Sequence, residues 1–336
     1  MKILGIETSC DETSAAVVAD GVSVLSNVIA SQVEIHARFG GVVPEVASRR
    51  HVELIMPTIQ EALDKAGCAL HDIDCIGVIN RPGLIGALIV GVAAAKTIAY
   101  AAKIPLVAVH HIEAHIYANW LTAADIQFPL ICLVVSGGHS DLIYMSDHGK
   151  YEILARTRDD AAGECFDKCA RAIGLGYPGG PEIDRLAKEG NSHSVKFPRA
   201  KVGDTLDFSF SGLKTAVIRY IEGFAERPPL PDLAASFQAA IVDVLVDHTF
   251  KAAQERGVKL VMMAGGVAAN SSLQAAMKAR GKELGIVVNA PPPVLCTDNA
   301  AMTAAAAYFA QERGLYAGLD LDSFASQPIG ERAEAM

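Results

Sequence analysis

Aromatic residues are scarce in this chain: one Trp, eight Tyr and eleven Phe make up 6% of its 336 residues. With few large rings and abundant Ala and Gly, the expected core is helices packed closely on a parallel or mixed sheet rather than a β-sandwich. Positive charge is also short. Lys and Arg number 29 against 38 Asp and Glu, a net charge of −9. That excludes indiscriminate binding to nucleic acid, because phosphate contacts need cations. A local basic strip stays open, at Arg49-Arg50-His51 or at Lys196, Arg199 and Lys201. No apolar run reaches the roughly 18 residues that span a bilayer. The longest, Pro82 to Ala95, ends at Lys96 and reads as a buried helix. No apolar leader precedes Glu7 and Asp11, so no membrane partner is expected and the expected compartment is the cytoplasm. The seven Cys are an odd number without a Cys-x-x-Cys pair, which fits reduced thiols. Cys165 and Cys169, at helical spacing, read as two small buried residues.

At 51% hydrophobic and a mean hydropathy of +0.28, the chain can fill two lobes. Lys2 to Thr8 reads as an apolar strand running into Ser9-Cys10-Asp11-Glu12-Thr13-Ser14 and then a second strand, Ala15 to Ala19: a hairpin whose turn carries acids and hydroxyls. The same pattern recurs at Ile131 to Val135, Ser136-Gly137-Gly138-His139-Ser140 and Leu142 to Met145. A unit repeated in this way predicts two related lobes facing a cleft. Between the hairpins come an irregular connection over Ser31 to Gly41, helices over Pro44 to Ala66 and Leu84 to Ala102, and strands Cys75 to Ile79 and Leu106 to Val109. This is the order of a doubly wound layer, in which ligands gather at strand ends.

The last of these strands delivers His110-His111-Ile112-Glu113-Ala114-His115. On a helix, His111 and His115 lie about 40° apart on one face, where a divalent metal could bridge them; ordinary helix histidines are the competing reading. The zinc-protease pattern His-Glu-x-x-His places a general base directly after the first histidine. Here Glu113 falls one residue later, about 200° round, and points away. Farther on, Leu260 to Ala264 is a strand, Gly265-Gly266 a turn and Ala269-Asn270 a helix start, an arrangement that admits a flat or anionic ligand. A charged loop over Glu226 to Asp232 separates two helices of the second half. Asp298, before the helix Ala300 to Arg313, reads either as an N-cap or as a third metal ligand in a two-His, one-carboxylate set.

Nine motifs in register across the chain resemble the TsaD family of tRNA adenosine threonylcarbamoyltransferases, formerly called O-sialoglycoprotein endopeptidases. They are Gly5 to Thr13, Gly40 to Glu45, His110 to His115, Val135 to His139, Gly163 to Lys168, Tyr177 to Pro181, Phe208 to Lys214, Gly265 to Asn270 and Cys296 to Asn299. The resemblance implies an α/β chain with the actin-like ATPase fold of sugar kinases and heat-shock ATPases, two duplicated lobes around a cleft. A division at 1–118 and 119–336 follows, with the last helices free to pack back on the first lobe. It implies transfer of threonylcarbamoyl from threonylcarbamoyl-adenylate to N6 of adenosine 37 in tRNAs reading codons that begin with A, releasing AMP. His111, His115 and Asp298 would hold one divalent metal, Fe2+ ahead of Zn2+. Val134, Val135, Ser136, Gly137, Gly138, Asp167, Gly180, Asp184 and Asn270 would hold the adenylate, with Asp167 accepting from ribose hydroxyls. Asp11 and Glu12 are the candidates to take the N6 proton. Implied partners are tRNA, a TsaB-like paralogue joined through the N-terminal lobe, and a TsaE-like ATPase. Arg81-Pro82-Gly83-Leu84 stands where the family commonly has Gly-Pro-Gly-Leu, so the role of that first glycine does not carry over. A small-molecule kinase, a metalloprotease and a nucleotide-binding scaffold are the rival readings; the kinase gives His111, His115 and Asp298 no task.

Overall fold

The computed structural model describes residues 1–123, 125–223 and 229–330. Residues 226–228 of the charged loop and residues 331–336 lie outside the described residues. The chain gathers into two compact units: 1–126, 148–150 and 297–336 in one, 127–147 and 151–296 in the other.

In the first unit, strands β1 (Lys2–Glu7), β2 (Glu12–Ala19), β3 (Ser23–Ser31), β4 (Cys75–Arg81) and β5 (Leu106–His110) form a sheet in the order β3-β2-β1-β4-β5. β1 pairs antiparallel with β2 and β2 with β3, whereas β4 and β5 run parallel to β1. β1, β2 and β4 are buried almost without interruption, as strands covered on both faces must be. One cover is the pair of helices Pro44–Ala66 and Ile85–Ala102. The first of these starts on a proline, whose missing N–H costs nothing there, and stops at Gly67 in the left-handed region, φ 62°. The other cover is the alanine-rich helix Ala300–Glu312, which lies across β1, β2 and β4. It comes close because Gly5 and Gly77 leave the sheet flat beneath it. A Cβ on Gly5 would stand 2.2 Å from the Ala300 carbonyl oxygen, and one on Gly77 2.4 Å from the Ala307 methyl.

The second unit repeats the plan. Strands β6 (Leu130–Val135), β7 (Ser140–Asp147), β8 (Lys150–Arg156), β9 (Leu260–Ala264) and β10 (Val287–Asn289) are ordered β10-β9-β6-β7-β8. β6 is antiparallel to β7 and parallel to β9. Its core is led by Phe166, Phe208, Phe210, Phe237 and Phe250, with the long helix Leu230–Arg256 threaded through it.

Three sequence readings are corrected. β3 and β8 escaped notice because each has one exposed face and carries Ser, Asn, Glu or Lys among its apolar residues. The connection after β3 is not wholly irregular, since it contains the short helix Val33–Ala37. The apolar helix Ile85–Ala102 is not fully buried: Ile85 and Ile89 are about half exposed and Tyr100 is 74% exposed. That helix and Leu230–Arg256 are long and apolar enough to cross a membrane by length and composition, and the apolar window of the second is 78% buried within the fold.

Candidate functional site

β5 ends at His110, whose ring nitrogen accepts the Ile112 N–H at 3.1 Å and so starts the helix His111–Tyr117. His110 is thereby a capping residue, and the next turn of helix stacks His111 and His115 on one face. Their Nε2 atoms are 3.1 Å apart. Asp298 Oδ1 lies 3.1 Å from His115 Nε2 and 3.7 Å from His111 Nε2. Asn299, not Asp298, caps the alanine-rich helix, its side chain accepting the Met302 N–H at 3.0 Å. The Asp298 carboxylate is therefore turned to the histidines rather than spent on the helix. Ser14 Oγ holds that helix start against β2 by accepting the Ala300 N–H at 2.8 Å.

The donor set suits a divalent transition metal. Tetrahedral donors at about 2.1 Å from one ion stand about 3.4 Å from each other, and these three span 3.1 to 3.7 Å. The orientation of His111 also fits. Its Nδ1 is 3.0 Å from Ser9 Oγ and 3.3 Å from Oε2 of the fully buried Glu7, whose other oxygen accepts the Ser9 N–H. A proton on Nδ1 facing Glu7 leaves the Nε2 lone pair toward His115 and Asp298, as ligating histidines require. Burial opposes charge on His111, but Asp298 and Glu7 outweigh it and raise its pKa to about 9. Burial, with His111 beside it, lowers that of His115.

Cys10, Asp11 and Asp298 also bring donor atoms within 4.8 Å of one another. Burial pushes the Cys10 thiol up, with Asp11 and Asp298 adding to it, and burial raises the Asp11 carboxyl. Glu12 is not in the turn but opens β2. It pairs with Ser31 across the strands, accepts that hydroxyl at 2.8 Å, and is raised to about 7, chiefly by burial. Glu113 points away from the histidine pair and lines a small cavity with Arg81 and Arg313. Three cations of the two basic groups read from the sequence have acidic partners. Arg49 pairs with Glu45, Arg50 with Glu53 and Arg199 with Asp243, while His51 is buried under the Cys10 carbonyl.

In the second unit, the residues singled out from Val134 to Asn270 sit around the carboxyl ends of β6 and β9. Val134 and Val135 are buried in β6, and Gly137 and Gly138 beyond it are exposed, with open space where a Cβ would be. The helix Ala162–Ala172 abuts this turn through Gly163, whose N–H donates to the Ser136 carbonyl at 3.1 Å. Asp167 on that helix accepts the Gly179 N–H at 2.7 Å, at the start of the helix Gly179–Ala187. Burial raises its pKa while the Gly179 and Gly180 amides pull it back. Asp184 accepts from Ser271 Oγ at 2.9 Å, and Asn270 caps the helix Ser271–Leu284 while donating to Gln238. Gly265, at φ 88°, packs where a Cβ would strike the Val135 carbonyl at 2.4 Å. The nine positions thus lie on β6, on the turns beyond β6 and β9 and on the helices beside them, and the carboxyl ends of parallel strands are the usual ligand position in such sheets.

Residues 23–305 match the family model for TsaD, tRNA N6-adenosine threonylcarbamoyltransferase. A Clostridium botulinum (strain 657 / Type Ba4) protein of that name is 56% identical over 336 residues, 99% of each chain. One from Symbiobacterium thermophilum is 55% identical over 98% of this chain and 97% of its own. This chain belongs to the tRNA N6-adenosine threonylcarbamoyltransferase family. As a threonylcarbamoyltransferase it shares the actin-like ATPase fold with solved structures of low identity. Among them are HypF of T. kodakarensis (TM-score 0.63, 16% identity, 93% of this chain and 48% of that one) and component A of the Acidaminococcus fermentans (R)-2-hydroxyglutaryl-CoA dehydratase (0.55, 16%, 92% and 98%).

Sequence reasoning missed the residues that orient the threonylcarbamoyltransferase histidines: Glu7, Ser9 and the capping Asn299. Glu7 left one signal, a carboxylate ending an otherwise apolar strand, which burial makes costly unless it has a partner.

Proposed function

We propose that this chain transfers a threonylcarbamoyl group from threonylcarbamoyl-adenylate to N6 of adenosine 37 of cytoplasmic tRNAs that read codons beginning with A. The observation that carries this is the convergence of His111, His115 and Asp298 in a chain related end to end to named threonylcarbamoyltransferases. In the reaction the N6 lone pair attacks the carbamoyl carbon. The bond from that carbon to the adenylate phosphate oxygen breaks, AMP leaves with the electron pair, and the N6 proton passes to a carboxylate. His111, His115 and Asp298 would hold one divalent metal, Fe2+ or Zn2+. When bound, the metal supplies Lewis acidity to a carbonyl oxygen of the transferred group. Glu7 and Ser9 keep the His111 ring turned with Nε2 toward that position. The exposed Gly137-Gly138 turn and the helix start at Ser271 would offer backbone N–H groups to the phosphate of the adenylate. Asp167, Asp184 and Asn270 frame its nucleoside. Asp167, oriented by the Gly179 and Gly180 amides, would accept in addition from a ribose hydroxyl.

The proton acceptor is Asp11 or Glu12. With its pKa raised to about 7, Glu12 becomes an effective base as pH rises through neutrality. Transfer is expected to climb across about pH 6 to 8 and then level. In Glu12→Gln the limb should vanish and the rate fall about a hundredfold. A full rate with an unchanged limb would move the role to Asp11.

A TsaB-like paralogue would dock on the apolar face of the side-by-side helices Pro44–Ala66 and Ile85–Ala102. Val52, Met56, Ile85 and Ile89 are 47–64% exposed there. A TsaE-like ATPase follows from the family resemblance alone. The direct test is mass spectrometry of nucleosides from tRNA incubated with the purified donor, the protein and its paralogue. Threonylcarbamoyl-adenosine should form, disappear with a chelator, and return with Fe2+ or Zn2+. Absence of product under all three conditions would sink the reading.

A further inference from the structure

We infer that Arg38 and Phe39 form a contact for single-stranded RNA, the Phe39 ring stacking on a base that flanks the target adenosine and Arg38 meeting its phosphate. The inference rests on the transfer reaction proposed above. Phe39 is 61% exposed and, among the described residues, is the one exposed phenylalanine of a chain that buries its others wholly or in large part. Single exposed apolar residues are common on protein surfaces, so exposure alone would mean little. The backbone around this one, however, is held firmly. The Phe39 and Gly41 N–H groups both donate to the carbonyl of His36, at 3.0 and 3.2 Å. His36 is fully buried, and its Nδ1 accepts the Val43 N–H at 3.3 Å. Gly40 at φ 70° makes the left-handed turn that returns the chain toward the helix Pro44–Ala66. The ring is thus displayed from a fixed loop.

Its place in the unit gives the display a purpose. The segment leading into this loop is tied to the acidic turn, Gln32 N–H donating to the Asp11 carbonyl at 3.1 Å and Ser31 Oγ to Glu12. Asp11 in turn lies beside Asp298. An enzyme that modifies the exocyclic amine of a base must take that base out of its stack, which leaves its neighbours in need of a new stacking surface. An aromatic ring on the loop one short helix, Val33–Ala37, beyond these ties supplies one. Arg38 fits the same partner. It is exposed, and among the described residues its guanidinium makes no hydrogen bond or ion pair, in contrast to the paired Arg49 and Arg50. On an acidic chain, an uncommitted cation beside an exposed ring matches a nucleotide better than an apolar protein surface.

The test uses an anticodon stem-loop RNA with 2-aminopurine next to the target adenosine, and the full chain with its paralogue. Wild type should quench the fluorophore. Phe39→Ala should abolish the quench and raise KM for the RNA about tenfold or more, with kcat, bound metal and melting temperature unchanged. Phe39→Trp should restore both signals. Arg38→Ala should reduce the slope of binding against salt by about one counterion. Wild-type quench and KM in Phe39→Ala would overturn the inference, as would loss of the paralogue from that variant with RNA binding intact. If wild type quenches but forms no product, the transfer reading fails while the RNA contact stands.

Discussion

Asp298→Ala is expected to empty the metal site and to stop transfer. The carboxylate is the one anionic donor of the three, 3.1 Å from His115 Nε2 and 3.7 Å from His111 Nε2. Without it only the two rings remain, facing each other across 3.1 Å. Loss of an outer partner such as Glu7 typically costs 10- to 100-fold in metal affinity, about 1.4 to 2.7 kcal/mol. Loss of a ligand should exceed that, so a fall of more than about a hundredfold is expected, read by metal analysis after dialysis against a weak chelator. Glu7→Gln should fall between wild type and Asp298→Ala. It keeps the shape but weakens the pull on the His111 Nδ1 proton, and with it the basicity of Nε2. The activity of each variant should track its metal content. A stoichiometric metal complement in Asp298→Ala would refute the assignment whatever its activity.

Gly5→Ala is expected to damage the same centre through the helix that follows Asp298. The new methyl would meet the Ala300 carbonyl oxygen at 2.2 Å and the Ala304 nitrogen at 2.8 Å. Both are backbone atoms of one helix, so no side chain can swing aside. Either the helix Ala300–Glu312 lifts or the strand bends, at a cost of about 3 kcal/mol. Because Asp298 and Asn299 begin that helix, metal affinity should fall as well. Denaturant unfolding and metal analysis of the same preparation measure the two effects. Gly67→Ala is the control. Nothing lies within 4 Å of its Cβ, and it bears only left-handed strain, φ 62°. It should lose about 1 kcal/mol and keep its metal. Equal stability of Gly5→Ala and wild type would mean that the helix does not rest on this glycine floor.

Much of the site could be read without coordinates where its geometry is local. His111 and His115 share a face because helix periodicity puts them there, and the same arithmetic turned Glu113 away. The two hairpins and the glycine turns showed themselves by alternation of apolar strands and small polar turns. Strands β3 and β8 did not, because a strand with an exposed edge or face carries too few apolar residues to stand out. The helix Ile85–Ala102 misled in the other direction. Its composition matches a buried element, yet Ile85 and Ile89 face outward on a surface that the described residues leave uncovered. The partners of the basic groups stayed hidden because a sequence shows charges without them, and Glu45, Glu53 and Asp243 pair with three of those cations.

The sequence by itself determined the family, the repeated α/β plan and the histidine pair, since each rests on short-range patterns that a helix or strand repeats every few residues. Only the tertiary structure gave the helix cap to Asn299 and turned Asp298 to the histidines, and it showed Glu7 and Ser9 behind His111 and Phe39 on its anchored loop. Those outcomes depend on pairings between distant segments. Gly5 and Gly77 let the alanine helix settle close to β1 and β4, and Asn299 takes the cap and releases Asp298. Such choices are settled by packing distance between elements far apart in the chain, a quantity that no spacing along it records.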